Sequence, residues 1–319
     1  MFLKYKSMID AAIKNKAVFN ILADKKYENE RIFGELLRNV HSIEKGLSLH
    51  KIRPGFGYEK IMEAFGYAKK LTELKNIKYN EAIHMFVNAI EMYLLYHDEI
   101  GYNDKKIENI KEYKHELIGR ISQDKEISPI GGYQFVTKKE FSEEEYNVIK
   151  SLIYERHSVR EFSKEPIDMQ KLYNALEMAH HCPSACNRQG YRVHIISKNF
   201  FHVFNKWFDG VGGFAEELDK IILITGDLSV YRLGETMQYV VSASVYAAYL
   251  TLTLQAEGIG CCFIQRPVVI TDEWKRVRNE LNIPGDEQIV CALGIGSLLE
   301  KYKVPISHRL SISTIITEH

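Results

Sequence analysis

Three stretches in the second half of the 319-residue chain carry residue types suited to holding a flat, anionic ligand. The first is Arg156-His157-Ser158-Val159-Arg160. Two guanidiniums four residues apart, with a hydroxyl between them, can surround a phosphate. Each offers a planar fork that matches phosphate oxygens, and charge-assisted hydrogen bonds are about twice as strong as neutral ones. For this stretch alone the plainer account is a solvated basic run paired with Glu155, Glu161 and Glu165. The second stretch is Pro183-Ser184-Ala185-Cys186-Asn187-Arg188-Gln189. Its Ser, Asn and Gln supply donors and acceptors on a loop, where binding groups are commonly carried, and an ordinary polar turn explains it equally well. The third is Gly258-Ile259-Gly260-Cys261-Cys262-Phe263-Ile264-Gln265. Here glycines would let the backbone approach a planar ring, although a helix–strand turn needs no ligand.

Other chemistries find little support. The chain has no G-x-G-x-x-G after a strand, no P-loop, no H-E-x-x-H and no G-x-S-x-G. The densest potential metal cluster is His180-His181-Cys182-Pro183-Ser184-Ala185-Cys186. It lacks a second ligand pair, because Cys261 and Cys262 are adjacent and point opposite ways in an extended strand. Small thiols packed in a core are the favoured reading, and no metal is expected.

The elements that must position these stretches follow from periodicity. Ile32, Phe33, Leu36, Leu37, Val40, Ile43 and Leu47 recur at helical steps, and residues 58–74, 82–96 and 103–121 continue the pattern. Arg53-Pro54-Gly55-Phe56-Gly57 breaks it, and Ser128-Pro129-Ile130-Gly131-Gly132 reads as a connector. The expected division is an all-α domain over 1–130 and a second domain over 131–319. A capping box at Ser142 opens the next helix. Strands are expected at 191–197, 220–226, 261–264 and 288–296, with helices at 169–180, 235–257 and 272–281, giving a layered core.

Composition sets the outer bounds. Lys plus Arg and Asp plus Glu both number 42, so the chain lacks the basic excess of a nonspecific nucleic-acid binder. Five cysteines are too few for a disulfide scaffold and favour a reduced compartment. Residues 1–18 show no signal-type core, and the apolar run 239–254 is shorter than a membrane span. A cytoplasmic protein that binds neither membrane nor nucleic acid is the expectation.

The order and spacing of the three stretches resemble the nitroreductase family of FMN-dependent oxidoreductases. Arg156-His157-Ser158-Val159-Arg160-Glu161-Phe162 is similar to the family's opening motif, and Ala179 through Gln189 is similar to its second. Gly258-Ile259-Gly260 after an apolar helix is similar to the third, and Gly294-Ile295-Gly296 followed by Arg309 to the last. The resemblance covers about 147–316. It implies an α+β fold of three layers, a central mixed β-sheet flanked by helices, here preceded by the all-α domain. It also implies FMN as cofactor and NADPH or NADH as electron donor to a small organic acceptor. Arg156, His157, Ser158, Arg160 and Arg309 would hold the phosphate and ribityl side. Ile264 and Gln265 would sit by the ring. Pro183, Ser184, Ala185 and Asn187 would come from the second subunit of a homodimer with shared sites, built on the 235–257 helix. Gly190 and Tyr191 stand where the family usually has Pro and an aromatic, and Ser307 replaces a usual lysine. Oxidation of a substrate by flavin and oxygen, or a non-catalytic flavin-holding role, remain open alternatives.

Arg38, His41, Glu44 and Lys45 lie at helical steps outside this resemblance. They form either a polar face over the site or an ordinary i,i+3 ion-paired surface, the second being favoured.

Overall fold

A computed structural model of the chain describes residues 12, 15–121, 131–202, 211, 213–264 and 272–319. Four helices build the first half: α1 (Glu28–Leu47), α2 (Tyr58–Thr72), α3 (Ile77–Glu99) and α4 (Lys105–Ile118). Each follows its apolar stripe, and α1 buries the seven positions read from its periodicity. Asn76 and Asp104 cap α3 and α4 by accepting the first backbone N–H groups. Between α1 and α2, the chain break at Gly55 is fixed by buried His97. Its Nε2 accepts the Gly55 N–H at 2.9 Å, while Nδ1 donates to the Tyr93 carbonyl at 2.7 Å.

The second half contains α5 (Glu143–Glu155), α6 (Met169–His180), β1 (Tyr191–Ser197), β2 (Lys220–Asp227), α7 (Gln238–Ala256), β3 (Ile259–Ile264), α8 (Asp272–Glu280) and β4 (Glu287–Ser297). Ser142 and Glu145 complete the capping box of α5. Gly258, at φ +72°, takes the left-handed position after α7 that lets the chain turn into β3. The strands order as β1-β2-β4-β3, all antiparallel, with a bulge between Ile224 and Thr225. Among the described residues, parallel pairing is confined to the bridge Ser158↔Cys261.

Strand alternation sorts side chains onto the two faces. Ile222, Ile224, Cys261, Leu293 and Ile295 pack with Leu172, Ala175 and Ala179 of α6 and with Tyr246, Ala247 and Leu250 of α7. Ile221, Leu223, Cys262 and Ala292 face the opposite way, toward Phe162, Phe214, Leu218 and Val277 of α8. The architecture is therefore α+β, with the sheet between two layers.

The helical half is not closed on itself. Leu228, Val230, Tyr231 and Tyr239 complete its core from beyond β2. Gly34 permits this approach, since a Cβ there would lie 2.3 Å from the Val230 carbonyl oxygen. Residues 122–130, which include most of the expected connector, lie outside the described residues.

Candidate functional site

The Arg156–Arg160 stretch leaves α5 and runs beside the edge strand β3. The Val159 N–H donates to the Cys261 carbonyl at 2.9 Å, and buried Val159 and Phe162 anchor the stretch in the core. Arg156, Ser158 and Arg160 all act electrostatically on Cys262. Burial pushes that thiol's pKa up, against the opposing pull of Arg160, Arg156 and the Ser158 hydroxyl. Burial also pushes Cys261 up to about 12, so neither sulfur is a thiolate at neutral pH.

The pairing with Glu155, Glu161 and Glu165 does not form. Neither Arg156 nor Arg160 has a carboxylate partner among the described residues. Arg160 donates only to the Ser158 carbonyl, at 3.3 Å, and lies 5.9 Å from the Phe214 ring centroid. Arg38, Arg120, Arg188, Arg192, Arg232 and Arg276 all have such partners. Half-buried His157 sits between the two unpaired guanidiniums. This donor set suits a phosphate: two forks and a hydroxyl with no competing carboxylate among the described residues.

The loop 183–189 lies at the other edge of the sheet, entering β1. The edges are three strand spacings apart, about 14 Å at ~4.8 Å each. The Ser184 hydroxyl accepts the Gln189 N–H at 3.0 Å, and Ser242 of α7 accepts that of Ala185 at 3.5 Å. Asn187 is exposed and Pro183 forms part of the exposed rim. Cys186, Asn187 and Gln189 all have positive φ, at 53°, 51° and 50°.

The remaining expected site residues divide. Ile264 is buried among core side chains beside Gly294 and Leu218. Gln265 lies outside the described residues. Arg309 is exposed on the C-terminal tail, where it donates to the Ser307 carbonyl at 2.5 Å. The N-terminal polar face is an ordinary paired surface in part only. Arg38 turns back to Glu35 at 2.8 Å, and His41 lies 3.9 Å from Glu44. Glu44 accepts the Gly132 N–H at 3.3 Å, and burial raises its pKa despite that bond. Burial and Lys45 lower the pKa of His41.

Sequence reading missed Arg188, which is 1% exposed and bound bidentately to Glu235 at 2.7 and 2.8 Å. An arginine inside a polar loop motif gives no signal of burial, and its partner lies 47 residues away.

Residues 153–209 match the sequence profile of the Nitroreductase family. No curated protein matches the chain. Similar solved structures include an FMN-dependent nitroreductase from Clostridium difficile R20291, at 21% identity, 53% of this chain, 99% of that chain and TM-score 0.46. A protein in complex with FMN from Desulfovibrio desulfuricans is 17% identical over 54% of this chain and 96% of its own, at TM-score 0.46. A nitroreductase family protein from Streptococcus pneumoniae TIGR4 is 19% identical over 54% and 100%, at TM-score 0.46. The matched segment spans Arg156 and Arg160, α6, the 183–189 loop and β1. No described helix is long and apolar enough to cross a membrane.

Proposed function

We propose that the chain is an FMN-dependent oxidoreductase that takes a hydride from NADPH or NADH and delivers it to a small organic acceptor. The observation that carries this reading is the pair of guanidiniums, Arg156 and Arg160, left without carboxylate partners among the described residues, inside the segment that matches the nitroreductase profile. When bound, FMN supplies a ring position that accepts a hydride and passes electrons on. The protein's part is to bind, orient and exclude water. Arg156, Ser158 and Arg160 hold the phosphate, with His157 beside them and Arg309 adding charge from the tail. Ile264, at the end of β3, borders the ring. No side chain is assigned an acid–base role.

Pro183, Ser184, Ala185 and Asn187 complete the site from a second copy of the chain. Their separation from Arg156 across the sheet supports this, as does the apolar surface that one copy leaves open. Nothing on α5 is buried, and Val148 and Tyr154 are 64% and 76% exposed. On α7, Ser242, Ala243 and Ala247 turn into the chain's own core, whereas Val241, Ser244 and Ala248, with Met237 just before the helix, form an exposed stripe of small and apolar residues. Patches of this kind mark association surfaces. The division into 1–130 and 131–319 and a cytoplasmic location belong to the same reading.

The test is anaerobic addition of NADPH, then NADH, to FMN-loaded protein. Bleaching of the flavin absorbance by either donor is expected. Bound FMN that neither donor bleaches would exclude the reductase reading and favour an oxidase or a flavin-holding role.

A further inference from the structure

The loop that presents Asn187 adopts a conformation its own backbone does not favour. Cys186, Asn187 and Gln189 are non-glycine residues in the left-handed region. Such backbone persists only where surrounding structure imposes it. The hydrogen bonds that the Ser184 and Ser242 hydroxyls accept from the Gln189 and Ala185 N–H groups account for part of that hold. The rest comes from Arg188, which sits between two of the three strained residues.

The Arg188 Nε donates to the Ala185 carbonyl at 3.1 Å, and Nη1 donates to the Val230 carbonyl at 3.2 Å. Its guanidinium lies 4.6 Å from the Tyr231 ring centroid, and its fork closes on Glu235. The same Glu235 Oε2 accepts the Arg232 N–H at 2.8 Å. The Arg232 guanidinium is clasped by both oxygens of Glu35 on α1. Glu35 in turn receives Arg38 through Nε and Nη2 at 3.0 and 2.8 Å. Backbone contact runs in parallel, because α1 touches Val230 at Gly34. A continuous chain of hydrogen bonds, passing through the Arg232 backbone N–H, therefore joins the helical half to the loop: Arg38, Glu35, Arg232, Glu235, Arg188, Ala185.

We infer that Glu35 and Arg188 are positioning residues through which the N-terminal helical half sets the 184–189 loop, and with it the affinity of the site that loop completes. This rests on the proposed flavin site only in its second clause; the coupling of α1 to the loop stands apart from it. The helical half thus tunes the site through the loop, whose Ala185 packs against the helical core.

The experiment compares two carboxylates of α1 in the full-length chain. Glu35→Gln breaks the link to Arg232. Glu30→Gln removes a different tie, from Glu30 to Lys78 at 2.5 Å and Tyr79 at 2.6 Å, and leaves the bonds among Glu35, Arg232, Glu235 and Arg188 intact. Hydrogen exchange is read at the Ala185, Asn187, Arg188 and Gln189 amides, and FMN affinity by fluorescence quenching. In Glu35→Gln, exchange at these amides should rise at least tenfold and FMN should bind at least fivefold more weakly. Glu30→Gln should change neither. Should Glu35→Gln fail to fold, Arg232→Gln cuts the same link from its exposed side. Loop exchange that is unchanged in Glu35→Gln, or raised equally in both variants, overturns the coupling. Raised loop exchange with unchanged FMN affinity overturns the tuning. A wild-type chain that binds no FMN overturns the flavin reading instead, while the exchange comparison still decides the coupling.

Discussion

Glu235→Ala should destabilise the protein substantially, because it strands the charge of Arg188. That guanidinium is 1% exposed, and its pKa is driven up by Glu235 against the opposing cost of burial. Removing one partner of a buried pair costs about 3–5 kcal/mol. Two features place the loss at the lower end. The Glu235 side chain is 28% exposed, and Arg188 keeps its bonds to the Ala185 and Val230 carbonyls and its place over Tyr231. A loss of about 3 kcal/mol lowers the folded-to-unfolded ratio more than a hundredfold. At about 2 °C per kcal/mol for a chain of this size, the Tm falls by roughly 6 °C. Differential scanning calorimetry and urea unfolding of the full chain read the effect directly. The paired replacement Arg188→Met with Glu235→Met removes the stranded charge and should recover at least half of the loss. A single variant within about 1 °C of wild type, or a double no better than the single, would refute the argument from burial.

Replacing Arg156 and Arg160 together with alanine should weaken FMN binding about a hundredfold or more, at roughly 1.5–3 kcal/mol per charged hydrogen-bonding group. Riboflavin binding should stay unchanged in that variant, which separates loss of phosphate contacts from loss of fold. Gly34→Ala places a Cβ 2.3 Å from the Val230 carbonyl oxygen and should cost about 1–3 kcal/mol by overpacking backbone against backbone; an unchanged Tm would show that α1 does not approach that segment. Acid should unfold the protein through three carboxyls. Burial raises the pKa of Glu35, Glu235 and Glu287, but Arg232 with Arg38, Arg188 with the Arg232 N–H, and His194 with Thr225 respectively hold each below the ordinary value of 4.5. Their stabilisation is present above that value and lost as pH falls through the depressed values. Asp286, raised by burial and by Asp227, works in the opposite sense. Glu287→Gln should therefore flatten the acid limb of a Tm-against-pH curve below pH 4.5, and an unaltered limb would contradict the assignment.

Much of the frame was legible because its signals are local. The ranges 169–180 and 191–197 coincide with α6 and β1, and the capping box at Ser142 forms as read. The opposed directions of Cys261 and Cys262 follow from strand alternation, and the two thiols enter different layers. The unread part is nonlocal. Whether Arg156 and Arg160 pair with nearby glutamates depends on how the stretch docks on β3, which residue spacing does not specify. The closure of the helical core by Leu228, Val230, Tyr231 and Tyr239 joins segments far apart in the chain. Arg188, Glu235 and Glu35 meet only once α1 and the 228–237 segment are packed. No periodicity announces such a network, and its members read separately as surface charge.

The most direct test of the account is the affinity of the purified chain for FMN against riboflavin, measured side by side by fluorescence quenching. If Arg156, Ser158 and Arg160 grip the phosphate, FMN binds about a hundredfold or more tightly than riboflavin, and added salt narrows the difference. Equal affinity for the two, or no binding of either, would contradict the claim that these guanidiniums are a phosphate site.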